Sequence, residues 1–318
     1  MRTHVPQVRL SVLICLFAFF SLQARSQSIS SRNGKVELGL GLGPMFFVGD
    51  LGGSAGIGRT FVKDLDLPLT KFSKGVYLNY YPTEFIGFRV AGNLGQLEGD
   101  DAQAPSKGGA EMDRRERNLN FRTKIKEAYA AIEIYPTYFI ERYDGLKGKL
   151  RPYFLIGAGM FHFDPETRDV DGRYVKTARL SLEGQGFPEY PDSKPYKLTQ
   201  KNVLGGVGFK YYIKENAYIG FEILHRKLFT DYVDDVSHDR YIDPIYFDQH
   251  LSPADAVTAR RLYYRGTYSF PTTRPYEEFA QRGDPKRNDA YFSSIIRFGW
   301  RIGGGDASLK QLKCPVFY

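Results

Sequence analysis

Eight ionisable residues lie where a buried charge network could form. Glu37, Glu127, Glu133 and Glu222, with Arg89, Lys210, Arg297 and Arg301, each fall on the less apolar face of a segment whose residues alternate in polarity. A lone charge is costly to bury, and an opposite charge in contact offsets part of that cost. Four acids facing four bases therefore read as a paired interior network rather than as catalytic groups. A second concentration is the run Phe229-Thr230-Asp231-Tyr232-Val233-Asp234-Asp235-Val236-Ser237. Its carboxylates could in principle ligate calcium, but their spacing misses the EF-hand pattern and the glycine that pattern needs. With Asp50 of the turn Gly49-Asp50-Leu51-Gly52-Gly53, the residues Asp231, Tyr232, Asp234, Asp235 and Ser237 read as a structural rim. That rim is expected to cap strand ends and to pair with Arg226 and Lys227.

Other catalytic signals are weak. His162, His225, His238 and His250 are scattered, with no helical His-x-x-x-His pair and no cysteine partner, so metal ligation is not expected. Asp235, Ser237 and His238 are neighbours in sequence, whereas the members of a triad meet across a fold. No enzyme activity, cofactor or small-molecule substrate is expected. The formal charge of +8 over 318 residues is too diffuse for a nucleic-acid footprint.

The elements that must carry the interior charges are strands. In a strand, successive side chains point to opposite faces, so alternation marks a segment with one apolar side. Val36, Leu38, Leu40 and Leu42 oppose Glu37 and three glycines. The same reading recurs over Val76–Tyr80, Ile86–Val90, Ala128–Ile134, Val203–Tyr211, Ile219–Ile223 and Phe292–Ile302. Arg151–Phe163 is apolar on both faces, and its phase stays ambiguous. These segments predict eight strands.

Their connections alternate in length: 82–84, 136–149 and 214–216 are short or modest, while 51–72, 97–123, 164–200 and 228–289 are long. Short turns at one end and long loops at the other predict an all-β fold, an eight-stranded antiparallel up-and-down transmembrane β-barrel with long extracellular loops. Tyr80, Tyr81, Phe85, Tyr135, Tyr138, Phe139, Tyr211, Tyr212 and Tyr218 flank the short turns and predict an interfacial girdle. Outer-membrane lipid is then the first partner.

The N-terminus reads as a signal peptide over residues 1–26. Arg2, His4 and Arg9 precede an apolar run from Leu10 to Leu22, and Ala24-Arg25-Ser26 supplies small residues for cleavage. Removing it takes three arginines and no acid, and leaves Cys314 as the one cysteine, so no intramolecular disulfide is expected. The barrel then spans 27–303 and a periplasmic tail 304–318, set off by Gly303-Gly304-Gly305.

Met45-Phe46-Phe47-Val48-Gly49-Asp50-Leu51, the 229–237 run followed by Tyr241-Ile242-Asp243-Pro244, and the closing Lys313-Cys314-Pro315-Val316-Phe317 resemble the PorG-type outer-membrane barrels of Bacteroidetes. The resemblance implies a component of the type IX secretion system that contacts the PorK and PorN ring beneath the outer membrane. A loop-based adhesin or receptor, or a structural barrel, is the alternative role. In the tail, Cys314, Pro315, Phe317 and Tyr318 are candidates for docking on a periplasmic partner.

Overall fold

The computed structural model describes residues 34–51, 70–103, 110–139, 145–266 and 281–302. The signal segment 1–26, most of the turn after Asp50, and the whole tail with Cys314, Pro315, Phe317 and Tyr318 lie outside the described residues.

Ten strands form, in the order β1 (Val36–Val48), β2 (Lys71–Tyr80), β3 (Ile86–Asp100), β4 (Asn120–Ile134), β5 (Leu150–His162), β6 (Pro165–Arg168), β7 (Tyr174–Lys176), β8 (Thr199–Lys214), β9 (Ala217–Leu228) and β10 (Ala290–Ile302). Eight long strands pair with their neighbours in chain order, and β10 closes on β1, with Val36 opposite Ile302 and Leu40 opposite Phe298. Every ladder is antiparallel, so the product is a closed up-and-down barrel with no open edge. The remaining pair, β6 and β7, is a short hairpin that continues the ladder of β4 above the barrel through Arg122 opposite Glu166.

Burial alternates along every barrel strand, but in the inverse sense to a soluble protein. Leu38, Leu40, Val76, Val90, Ile156, Val207, Phe298 and Trp300 face outward and are exposed, while Glu37, Arg89, Glu133 and Glu222 face inward and are buried. An apolar exterior around a polar interior is the pattern of a barrel whose wall meets lipid. On β5 the exposed apolar face runs from Leu150 to Met160. Ten residue steps at about 3.4 Å, tilted by about 40°, make a band roughly 25 Å tall, the height of a bilayer's apolar layer. Among the described residues no helix is long and apolar enough to cross a membrane.

Strand five, ambiguous by pattern, takes its phase here: Arg151, Tyr153, Leu155 and Phe161 point inward, and Phe154, Ile156 and Met160 point outward. Two other expectations change. The second loop is shorter than predicted, because β3 and β4 stay paired up to Asp100 opposite Asn120. Glycines at 95 and 99 had hidden that alternation. The turn-side aromatics also split by strand phase. Tyr80, Phe139 and Tyr211 face outward, whereas Tyr81, Tyr135, Tyr212 and Tyr218 are buried inside the barrel. Four of the nine predicted girdle residues are therefore lumen filling.

Glycines make room for those inner rings. A Cβ on Gly39 would lie 2.1 Å from the Tyr77 hydroxyl, and one on Gly299 would lie 2.3 Å from the Tyr218 ring. The two tyrosines fill the space and meet hydroxyl to hydroxyl at 2.5 Å.

The long loops carry structure of their own. Helix α1 (Ala110–Arg117) lies between β3 and β4. Helices α2 (Ile245–His250) and α3 (Pro253–Tyr263) lie between β9 and β10, the latter capped by Ser252, which accepts from the Asp255 amide at 3.2 Å. Leu180, Leu182, Phe187 and Tyr190 of the third loop pack on Tyr241, Phe247, Ala259 and Leu262 of the fourth.

Candidate functional site: a sealed lumen beneath a knotted rim

All eight interior charges predicted from alternation are buried, and the closure of the barrel brings them into contact. They form two groups. In the larger one, Lys210 donates to Glu37 at 2.8 Å and to Glu133 at 3.2 Å. Arg89 reaches Glu222 at 2.6 Å and also pairs with Glu133, and Arg297 closes on the other oxygen of Glu222. Neutral donors complete the shells: Asn79 to Glu37 and Glu133, each at 2.9 Å, Tyr218 to Glu37 at 2.6 Å and Tyr153 to Glu222 at 2.6 Å. Arg301 is held less closely. Its guanidinium is 3.7 Å from Glu37, makes no hydrogen bond, and lies over the Tyr81 ring at 4.3 Å.

The second group centres on Glu127 and corrects the sequence reading of Arg226. That arginine does not face the rim; it points inward and holds Glu127 with Nε at 3.2 Å and Nη2 at 3.1 Å. Asn93, Asn202 and Tyr291 also donate to Glu127, at 2.9, 2.9 and 3.0 Å. The signal was present, since the inward phase of Glu222 on β9 continues to Arg226 once the strand is allowed to run on to Leu228. Lys227, the other expected rim partner, faces outward and is exposed. Arg151 is a further buried base; it donates to the Glu84 carbonyl at 2.5 Å and lies 4.4 Å from the Tyr135 ring centre.

Above the charges the upper barrel is filled by Met45, Leu97, Ile125, Phe161 and Tyr291, which pack with Leu51, Val233 and Val236 from the loops. The lumen is thus sealed twice, by paired charge below and by apolar packing above.

The rim residues come together as a buried knot, and neither of the bases expected to pair with them, Arg226 and Lys227, joins it. Asp234 accepts from the Leu51 amide at 3.1 Å and the Val236 amide at 3.0 Å. Asp50 accepts from the Asp284 amide at 2.8 Å, and Asp235 accepts from the Tyr196 hydroxyl at 2.5 Å. Tyr232 stacks on Tyr196 at 4.5 Å, and Ser237 gives its amide to Glu183 at 3.0 Å. Asp235 adopts φ 63°, a left-handed conformation that aspartate tolerates better than most residues.

Four residues that sequence reasoning did not single out bind the loops together. Arg117 holds Asp101 at 2.8 Å, donates to the Asp50 carbonyl at 2.7 Å and reaches the Arg282 carbonyl. Glu183 accepts from the His238 amide at 3.1 Å and from Arg282 at 3.0 Å, and Arg282 donates to the Tyr263 carbonyl at 2.6 Å. Nothing in their local sequence marks them, because Arg117 meets Asp50 and Arg282 from two other loops and Glu183 meets His238 and Arg282 from another.

Crowding raises the affinity of the rim acids for protons. Burial pushes the Asp231 carboxyl up to about 10, with the charges of Asp234 and Asp50 adding to the effect. Burial likewise lifts Asp235 to about 7, and Asp234 and Asp289 well above the carboxylate range. One oxygen each of Asp231, Asp235 and Asp289 is buried without a hydrogen bond. Among the described residues no group of three or more His, Cys, Asp or Glu is arranged to hold a metal ion. His162, on the outer wall, contacts Thr199 at 3.1 Å, and His250 contacts Glu189 at 2.9 Å, so these two histidines serve separate places.

No family model matches the chain, and no curated protein matches it. Among solved structures, it is similar to Ail, the attachment invasion locus protein of Yersinia pestis, at 9% identity and a TM-score of 0.35, covering 84% of this chain and 98% of that one. Neisserial surface protein A gives 9%, 0.34, 84% and 97% for the same measures. The outer membrane protein OprG of Pseudomonas aeruginosa gives 11%, 0.37, 86% and 98%. The barrel is defined by the chain's own closed ladder and not by these superpositions.

Proposed function

We propose that the protein is a non-conducting outer-membrane barrel that serves as an accessory of the type IX secretion system and offers its partner surface on the periplasmic side. The observation that carries the non-conducting part is the sealed lumen: Glu37, Glu133, Lys210 and Glu222 have no exposed surface at all. A pore needs a continuous wet path, and here each charge is taken up by another side chain. The secretion role rests on the resemblance of the 45–51, 229–244 and 313–317 segments to PorG-type barrels. Residues 1–26 direct export in this reading. The tail 304–318 follows β10, which ends at Ile302 on the short-turn side, beside the start of β1. Short turns are periplasmic in such barrels, and in this reading the tail that carries Cys314, Pro315, Phe317 and Tyr318 meets the PorK and PorN ring.

Deletion of the protein is expected to stop export of type IX cargo, and deletion of residues 306–318 alone is expected to leave a folded barrel whose ring cross-links are lost. Normal cargo export in the deletion strain sinks the secretion role. In planar bilayers the purified barrel, identified as folded by heat-modifiable gel migration, is expected to show no discrete ion channels; steady single-channel currents would contradict the sealed-lumen reading.

One observation favours a second reading, a surface adhesin or receptor. The third and fourth loops form an ordered unit that still exposes Val170, Ile245 and Val257. Cross-links in intact cells that involve only these loops would support that role over the secretion one.

A further inference from the structure

The outer wall differs between its two ends. At the short-turn end the outward strand residues are apolar or aromatic, among them Tyr80, Leu150, Tyr211, Ile213, Trp300 and Ile302, with Lys214 at the tip of β8 the exception. At the long-loop end five outward lysines stand exposed: Lys74 on β2, Lys124 and Lys126 on β4, Lys201 on β8 and Lys227 on β9.

Register makes these a stripe rather than a scatter. Lys74 is opposite Leu94, Leu94 is opposite Lys126, and Lys126 is opposite His162. Lys201 is opposite Met160, and Lys227 is opposite Val203, two residues along β8 from Lys201. Neighbouring strands are about 4.8 Å apart, so Lys74 and Lys126 stand roughly 10 Å from one another.

The acids nearby are already taken. Glu98 pairs with Lys71, Glu166 with Arg122, Asp164 with Lys176 and Asp100 with Arg168. None of the five lysines has an ion pair with a described carboxylate. Two residues nearer the short-turn end, Val76, Ala128 and Val203 are exposed and apolar, so three of the ammoniums stand at the upper edge of the lipid-facing band. On β10 and β1 the outward residues at this height are Phe46, Pro44, Phe292 and Ser294, so the charge is one-sided.

We infer that this stripe binds the phosphates of a phosphorylated lipid in the outer leaflet, whose acyl chains lie along the apolar wall beneath. Surplus positive charge at the headgroup level, continuous with an apolar face, complements a lipid with an anionic head and not a free anion. The inference rests on the barrel lying in the outer membrane and is independent of the secretion role.

The test measures binding of bis-phosphorylated lipid A to the folded, full-length barrel in neutral detergent by native mass spectrometry. Wild type is expected to retain it, with binding that weakens steeply as salt rises, and dephosphorylated lipid A is expected to bind more weakly. A basic side chain near an anionic lipid surface is worth about 1 kcal/mol, so K124Q/K126Q/K201Q is expected to lose on the order of a hundredfold in affinity. The arginine counterparts at these three positions should keep it. Equal binding by wild type and the glutamine variant, equal binding of phosphorylated and dephosphorylated lipid, or competition by inorganic phosphate as effective as by lipid would each overturn the stripe. A chain that shows no heat-modifiable band in lipid defeats the membrane premise instead, so the two failures are distinguishable.

Discussion

Replacing Arg89 by methionine is expected to destabilise the barrel by about 3–5 kcal/mol, the loss typical of breaking one side of a buried ion pair. Arg89 touches two acids, Glu222 and Glu133, and also donates to Asn79 at 3.3 Å. Its removal leaves both carboxylates, which have no exposed surface, under-compensated. Urea unfolding of the lipid-reconstituted barrel measures the effect as a fall in the transition midpoint. The double variant Arg89→Met with Glu222→Gln is expected to recover part of the loss, because it removes a charge together with its partner. Arg301→Met is expected to cost clearly less, since that guanidinium makes no hydrogen bond and is 3.7 Å from Glu37. Equal midpoints for wild type and Arg89→Met would show that the network contributes nothing to stability.

The second large effect is on pH. Asp231, Asp234, Asp235 and Asp289 hold protons in the closed rim at pH values where free carboxylates have lost them. The groups that act on them are Asp50, Glu183, Tyr196, Tyr232, Arg117 and Arg282, and Asp284 and Arg114 act in turn on Asp50. A raised carboxylate pKa means that the closed rim binds more protons than the open one, so closure is favoured at low pH and weakens as pH rises. The window opens near pH 4, where an exposed aspartate titrates, and extends to about 7 for Asp235 and about 10 for Asp231.

Within that window each proton released on opening shifts the opening equilibrium roughly tenfold per pH unit. Hydrogen exchange of the Val233, Val236 and Leu51 amides, corrected for its intrinsic pH dependence, is expected to show at least that slope between pH 5 and 7. Asp231→Asn should lower the slope by about one proton's worth, as the amide keeps the shape and carries no charge, while Asp234, Asp235 and Asp289 keep the rest. A pH-independent opening would mean that these acids are ionised and stabilised in some other way.

The sequence by itself determined which side chains face in. A strand has a period of two residues, so Leu38 and Leu40 outward requires Glu37 inward, and the same arithmetic puts Arg89, Glu127, Glu133, Lys210, Glu222, Arg297 and Arg301 on the inner face, where they are buried. It also determined the topology, because three short links and four long ones admit an up-and-down order. Where alternation was masked, by glycines 95 and 99 on β3 or by the doubly apolar β5, strand limits and phase were not legible.

Only the tertiary structure decided who pairs with whom. Arg89 and Glu222 are 133 residues apart, and Arg226 and Glu127 are 99 apart, and no local pattern encodes those distances. The rim shows the same limit. Asp231, Asp234 and Asp235 read as caps of strand ends that pair with Arg226 and Lys227, because those bases are their neighbours in sequence. The approach of Leu51 and Tyr196 from other loops, and of Arg282 and Asp289 from the far end of the same loop, buries them, and burial turns ordinary acids into proton holders. Facing is a local property of the chain, whereas partner and dielectric belong to whatever the closed fold brings alongside.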